Sequence, residues 1–97
     1  MDIKVNAVGF DLDKDQQALI DKKLQRLMYA DELIVSLTFK VTEDKKYKFE
    51  ILVNFRWGLQ AHVTEENYEF AAGVNKIIDV IDHKIKKEKD KIQEKGK

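Results

Sequence analysis

LIVSLTFKVT at 33–42, EDKK at 43–46 and YKFEILVNF at 47–55 decide the fold. In the first run Leu33, Val35, Leu37, Phe39 and Val41 alternate with Ser36, Thr38 and Lys40. In the second, Tyr47, Phe49, Ile51, Val53 and Phe55 take every other position. A period of two is that of a strand with one buried face, and β-branched and aromatic side chains suit a pleated surface. Two such runs around a short polar turn predict an adjacent antiparallel pair.

Upstream, Met1 to Val8 alternates Ile3, Val5 and Ala7 against Lys4 and Asn6, which predicts a first strand ended by Gly9. Asp13 followed by Gln16 has the spacing of a capping box. It opens a helix expected to reach about Met28, with Ile20, Leu24, Leu27 and Met28 facing inward and Lys22, Lys23 and Arg26 on one flank. Downstream, Arg56-Trp57-Gly58 marks a turn and Leu59 to Thr64 a third, shorter strand of the central set. Asn67 is the expected N-cap of a last helix, NYEFAAGVNKIIDVIDHKIKKEKDKIQEKGK at 67–97. There Phe70, Val74, Ile77, Ile78, Ile81, Ile85 and Ile92 form one apolar stripe at three- and four-residue spacing. The order is β-α-β-β-β-α. An α+β two-layer sandwich follows, with a mostly antiparallel four-stranded sheet and two helices on one face.

Ninety-seven residues allow one domain, and the 43% apolar share supports a packed core. The sequence has no cysteine, so neither disulfides nor thiolate chemistry is available. No charged-then-apolar leader opens it and no apolar run nears the ~20 residues of a membrane span, so a cytoplasmic protein is expected. Net charge is zero but polarised. Residues 1–83 hold 11 Lys and Arg against 15 Asp and Glu, and residues 84–97 hold 7 Lys against 3 acids.

On the helical wheel of 67–97, Lys76, Lys84, Lys87, Lys91 and Lys95 gather on one shoulder of the apolar stripe, interrupted only by Val80, Gly73 and nearby His83. Asp79, Asp82 and Asp90 fall on the other shoulder, with Lys86 and Lys97 among them. The plain reading is a solvated helix with i,i+4 pairs. The sharper one is a row of ammonium groups that neutralises a nucleic-acid backbone.

Enzyme chemistry finds no foothold. His62 and His83 lie on different elements without a partner at metal-ligand spacing, and the carboxylates are scattered over caps and helix faces. There is neither a glycine-rich phosphate loop nor a nucleophile motif, so no catalytic role, cofactor or small-molecule substrate is expected. Trp57 with Arg56 has two readings: a cap folded over the end of the core, or an aromatic–guanidinium pair that stacks on a base or anchors a partner. Tyr29, at the end of the first helix, has the same two readings.

Three stretches, IKVNAVGFDLDKDQQALIDKKLQRL, the strand-turn-strand centre and YEFAAGVNKIIDVIDHKIKKEKDKI, together resemble the bacterial ribosome hibernation promoting factors. These are also described as ribosome-associated inhibitors or ribosomal subunit interface proteins. The resemblance covers nearly the whole chain. It rests on the order of a strand-Gly opening, a first helix ending in KLxRL-like sequence and a Lys-rich last helix, not on a short signature. It implies a fold related to double-stranded-RNA-binding domains and one ribosome-binding domain over 1–97, of the short form without a dimerisation domain. It also implies a monomer that binds small-subunit rRNA between head and body, over the tRNA and messenger sites, and so silences idle ribosomes. Lys22, Lys23 and Arg26 match the family's basic first-helix positions. Lys87, Lys89 and Lys91 match its K-x-K-x-K run, with Lys84 and Lys86 beside it. With Lys76 and His83 these make the expected RNA-binding set. The chain departs from the pattern at Val80, His83 and Glu88, and at Arg56-Trp57-Gly58 where relatives carry a Gly-Gly-like turn. Two other readings compete: a regulatory module docking its charged C-terminal helix on an acidic protein partner, and a free-standing double-stranded-RNA binder.

Overall fold

The computed structural model describes residues 1–95, with side chains described as far as Ile92. The side chains of Lys95 and Lys97 lie outside the described ones, as does the 95–97 tail, which its Lys-Gly-Lys sequence would lead one to expect to fray. The elements are β1 (Asp2–Val8), α1 (Lys14–Leu24), a 3₁₀ segment (Gln25–Leu33), β2 (Ile34–Glu43), β3 (Tyr47–Phe55), β4 (Gln60–Asn67) and α2 (Phe70–Lys95). The strands form one sheet in the order β1-β2-β3-β4. β1 is parallel to β2 and the other pairs are antiparallel, so the sheet is mixed. The parallel pair follows from connectivity, because α1 and the 3₁₀ segment carry the chain back between β1 and β2.

Both helices cover one face. Leu37, Phe39, Val41, Phe49, Ile51, Val53, Phe55 and Val63 of the sheet share one core with Ile20, Leu24 and Leu27 and with Val74, Ile77, Ile78, Ile81 and Ile85 of α2, all buried. Each contributes about 1.5–3 kcal/mol on burial. The opposite face, with Thr38, Lys40, Lys48, Glu50, His62 and Thr64 around Leu52, has no helix over it among the described residues and is mostly polar. The N-terminal half of α2 sits unusually close to the sheet. A Cβ on Gly73 would lie 2.0 Å from Phe49 Cε2, so only glycine fits. Phe70 packs edge-on against Tyr47 at 5.3 Å and Phe49 at 5.6 Å, which anchors the same end.

The capping box is present as expected: Gln16 N–H donates to Asp13 Oδ1 at 2.7 Å and Asp13 N–H to Gln16 Oε1 at 3.1 Å. Three expectations are corrected. α1 stops at Leu24 instead of reaching Met28, and the chain tightens into the 3₁₀ segment. At three residues per turn, Leu24, Leu27, Ala30 and Leu33 align, the first three buried, while Met28 turns outward and is exposed. In β2 the register shifts between Ile34 and Ser36, so Ile34 enters the core and Val35 is 52% exposed. A bulge turns Val35 away from the face that simple alternation assigned to it, while Leu33, which ends the 3₁₀ segment, still packs against the core. Asn67 ends β4 rather than capping α2. Its Oδ1 accepts from Glu69 N–H at 2.9 Å, and the helical ladder begins with Gly73 N–H donating to the Glu69 carbonyl.

Candidate nucleic-acid interface

α2 lies along the sheet with α1 and the 3₁₀ segment on one side and β4 on the other. At about 100° per residue its polar positions divide into two flanks. Asp79, Asp82, Lys86 and Lys89 look toward α1, and Lys84, Lys87, Glu88 and Lys91 toward β4.

The α1-facing flank is a network around Asp82, a charged side chain only 8% exposed. The Tyr29 hydroxyl donates to Asp82 Oδ1 at 2.5 Å. Lys86 Nζ stands 3.1 Å and Arg26 Nη2 3.7 Å from Asp82 Oδ2, and Arg26 Nη1 is 2.8 Å from Asp79 Oδ1. Burial alone would raise the Asp82 carboxyl. The Tyr29 hydroxyl, Lys86 and Arg26 outweigh it and hold the group below the usual carboxylate range. Burial, with the Asp82 hydrogen bond and charge, pushes the Tyr29 hydroxyl far above its ordinary value. Lys86 and Lys89 stand 6.0 and 5.5 Å from the Tyr29 ring centroid, within cation–π range. Arg26 thus bridges the two helices.

The β4-facing flank borders a shallow groove lined by Leu59, Gln60, Ala61 and His62 across from Lys84, Lys87 and Lys91. Glu88 sits inside this row and pairs with Lys91 at 3.3 Å. The cationic shoulder is therefore not free of carboxylates, as the wheel had it. Lys84 and Lys87 are exposed and have no ion pair among the described residues, and neither has Lys76. Lys22 and Lys23 occupy the last turn of α1, where positive charge suits the helix dipole, and His83 is exposed on the solvent side of α2.

The expected cations thus fall into two groups, Arg26, Lys86 and Lys89 around Tyr29 and Lys84, Lys87 and Lys91 along β4, with Lys22, Lys23, Lys76 and His83 outside both. The sequence reading missed Asp82 as a hub and Gln60 and His62 as the far wall of the groove. Tyr29 was the one available signal. The Trp57 ring stacks on buried Phe55 at 4.9 Å, as the capping reading expects, and stays 41% exposed.

This geometry defines a small α+β domain that presents a cation-edged helix on one layer and has no helix among the described residues long and apolar enough to cross a membrane. The chain belongs to the family described as sigma 54 modulation protein / S30EA ribosomal protein, whose profile matches residues 3–93. That is a family of non-enzymatic, ribosome-associated proteins. Among solved structures, a ribosomal subunit interface protein from Coxiella burnetii superposes with a TM-score of 0.81 at 20% identity, covering 92% of this chain and 98% of that one. The Protein Y N-terminal domain of Thermus thermophilus gives 0.76 at 24% identity, with 90% and 98% covered. Identities this low make both a likeness of fold. A search of curated proteins found no match to the chain.

Proposed function

We propose that this domain is a ribosome hibernation factor that binds small-subunit rRNA in the decoding cleft and, by occupying the tRNA and messenger sites, holds idle ribosomes silent. The observation that carries the reading is the sorting of charge on α2. Asp79 and Asp82 are drawn to the α1 side and neutralised by Arg26 and Lys86, which leaves Lys84 and Lys87 unopposed on the β4 side among the described residues. Ammonium groups so placed track phosphates and shape rather than base sequence, which suits a folded rRNA surface. Inhibition is then steric, and an elongated body of 48 × 20 × 20 Å is of a size to fill a cleft. Family membership and the subunit-interface name of a structural neighbour support the ribosome as the partner.

The test is co-sedimentation with purified small subunits and whole ribosomes at two salt concentrations, beside a Lys84→Glu/Lys87→Glu/Lys91→Glu variant. Stoichiometric, salt-sensitive binding that the variant loses is expected. Absence of wild-type binding at low salt by a folded domain would overturn the reading and direct the search to an acidic protein partner for the same helix.

A further inference from the structure

The depression between the 3₁₀ segment and α2, lined by Arg26, Tyr29, Asp82, Lys86, Lys89 and Asp90, has a volume of ≈ 540 Å³ and a chemistry unlike the β4 groove. Its floor is an aromatic ring 43% exposed. The 2.5 Å hydrogen bond to a buried carboxylate pins that ring by its hydroxyl, so its orientation is fixed before any ligand arrives. Around the ring stand three cationic donors and two carboxylates, one of them, Asp90, exposed. That near balance of charge disfavours a bare phosphate. It suits a neutral planar group carrying both donors and acceptors on its edge. The ammonium groups lie over the ring at 5.5 and 6.0 Å from its centroid, so a base stacked at ~3.5 Å displaces them. They ride on flexible stems, so a planar group can slide onto the tyrosine and meet them as donors at its rim.

We infer that this pocket is a nucleobase subsite: an unstacked base of the RNA held on α2 lies on the Tyr29 ring, with Lys86, Lys89 and Asp90 at its edge. The inference rests on the RNA-binding reading and deepens it. One helix then grips RNA in two ways, by phosphates over β4 and by a splayed base over the 3₁₀ segment. Single-stranded bulges and ends are where bases stack on aromatic side chains, and stacking tolerates any base because each has a π-face.

Two measurements test this. In equilibrium binding to small subunits, Tyr29→Leu is expected to weaken affinity about tenfold with an unchanged salt slope, while Tyr29→Phe, which keeps the ring, stays within about twofold of wild type. Thermal melts of both variants check that they fold. Wild-type affinity in Tyr29→Leu overturns the subsite, as does an equal loss in Tyr29→Phe, which would trace the effect to the hydroxyl. In NMR titrations of the wild-type protein, the Tyr29 ring protons are expected to shift with a short single-stranded oligoadenylate and not with inorganic phosphate. Equal shifts with phosphate, or none with the oligonucleotide, overturn the subsite. Salt-sensitive subunit binding with an indifferent Tyr29 would remove the subsite and leave the ribosome reading standing. Tyr29 shifts with oligoadenylate and no subunit binding would do the reverse.

Discussion

On its α1-facing flank α2 has Asp79 and Asp82 held by Arg26 and Tyr29, with Lys86 paired to Asp82, whereas on its β4-facing flank Lys84 and Lys87 meet no carboxylate among the described residues. Both flanks belong to one helix and draw on the same residue types. The neighbouring element makes the difference. α1 and the 3₁₀ segment bring an arginine and a tyrosine that turn the acids into cross-links, while β4 brings Gln60 and His62, which leave the lysines facing solvent. Charge counted along a helix therefore does not say which charges are available to a partner. Charges tied across elements hold the fold together, and charges left over are open to a ligand.

The comparison breaks most completely if α2 is lifted from the sheet. Gly73→Ala drives a Cβ into the Phe49 ring and is expected to cost about 3 kcal/mol in denaturant unfolding. Near-wild-type stability would mean that the close seat of α2 does not position the flanks. Next, Asp82→Asn removes the hub of the α1-facing flank and is expected to cost about 2 kcal/mol at neutral pH. Because the folded Asp82 carboxyl is held below its ordinary value, its stabilisation is complete above that value and fades as pH falls through the folded one. The gap between wild type and variant should therefore narrow below about pH 4, where carboxylates ordinarily begin to protonate. A gap that stays constant down to strongly acid pH would show that the charge is not what matters. The smallest effect on the fold belongs to Lys84→Gln/Lys87→Gln. Unfolding should move by no more than about 0.5 kcal/mol. The salt slope of subunit binding should fall by about 1.5, as two phosphate contacts are lost. A large loss of stability in this variant would erase the distinction between the flanks.

Much of the architecture is legible in the chain. Alternation gave the central hairpin, Asp13 and Gln16 gave the start of α1, and the isoleucine stripe gave the buried face of α2, because each is a local pattern with one geometric solution. The misses have equally local causes. Leu24, Leu27, Ala30 and Leu33 are spaced by three, a 3₁₀ period that overlaps the helical one and was absorbed into it. The bulge at Ile34–Ser36 depends on how β2 pairs with β3, which alternation within one strand does not contain. The candidate site was legible as a set of cations but not as two groups. Arg26 and Tyr29 meet Asp79 and Asp82 across 53 residues of sequence, and only the packing of α1 on α2 brings them together.

Trp57 gives the molecule an optical probe of its own. It is the chain's one tryptophan, half open to solvent and stacked on Phe55 beside Glu88, Lys91 and Ile92. Indole emission follows the polarity and mobility of its surroundings, and here the ring is stacked on Phe55 and borders the same shallow depression as Lys91. A ligand that reaches this end of the groove registers as a spectral shift without any label. One confined to the Tyr29 side of the helix leaves the band in place, so the unmodified protein can report along which side of α2 its partner arrives.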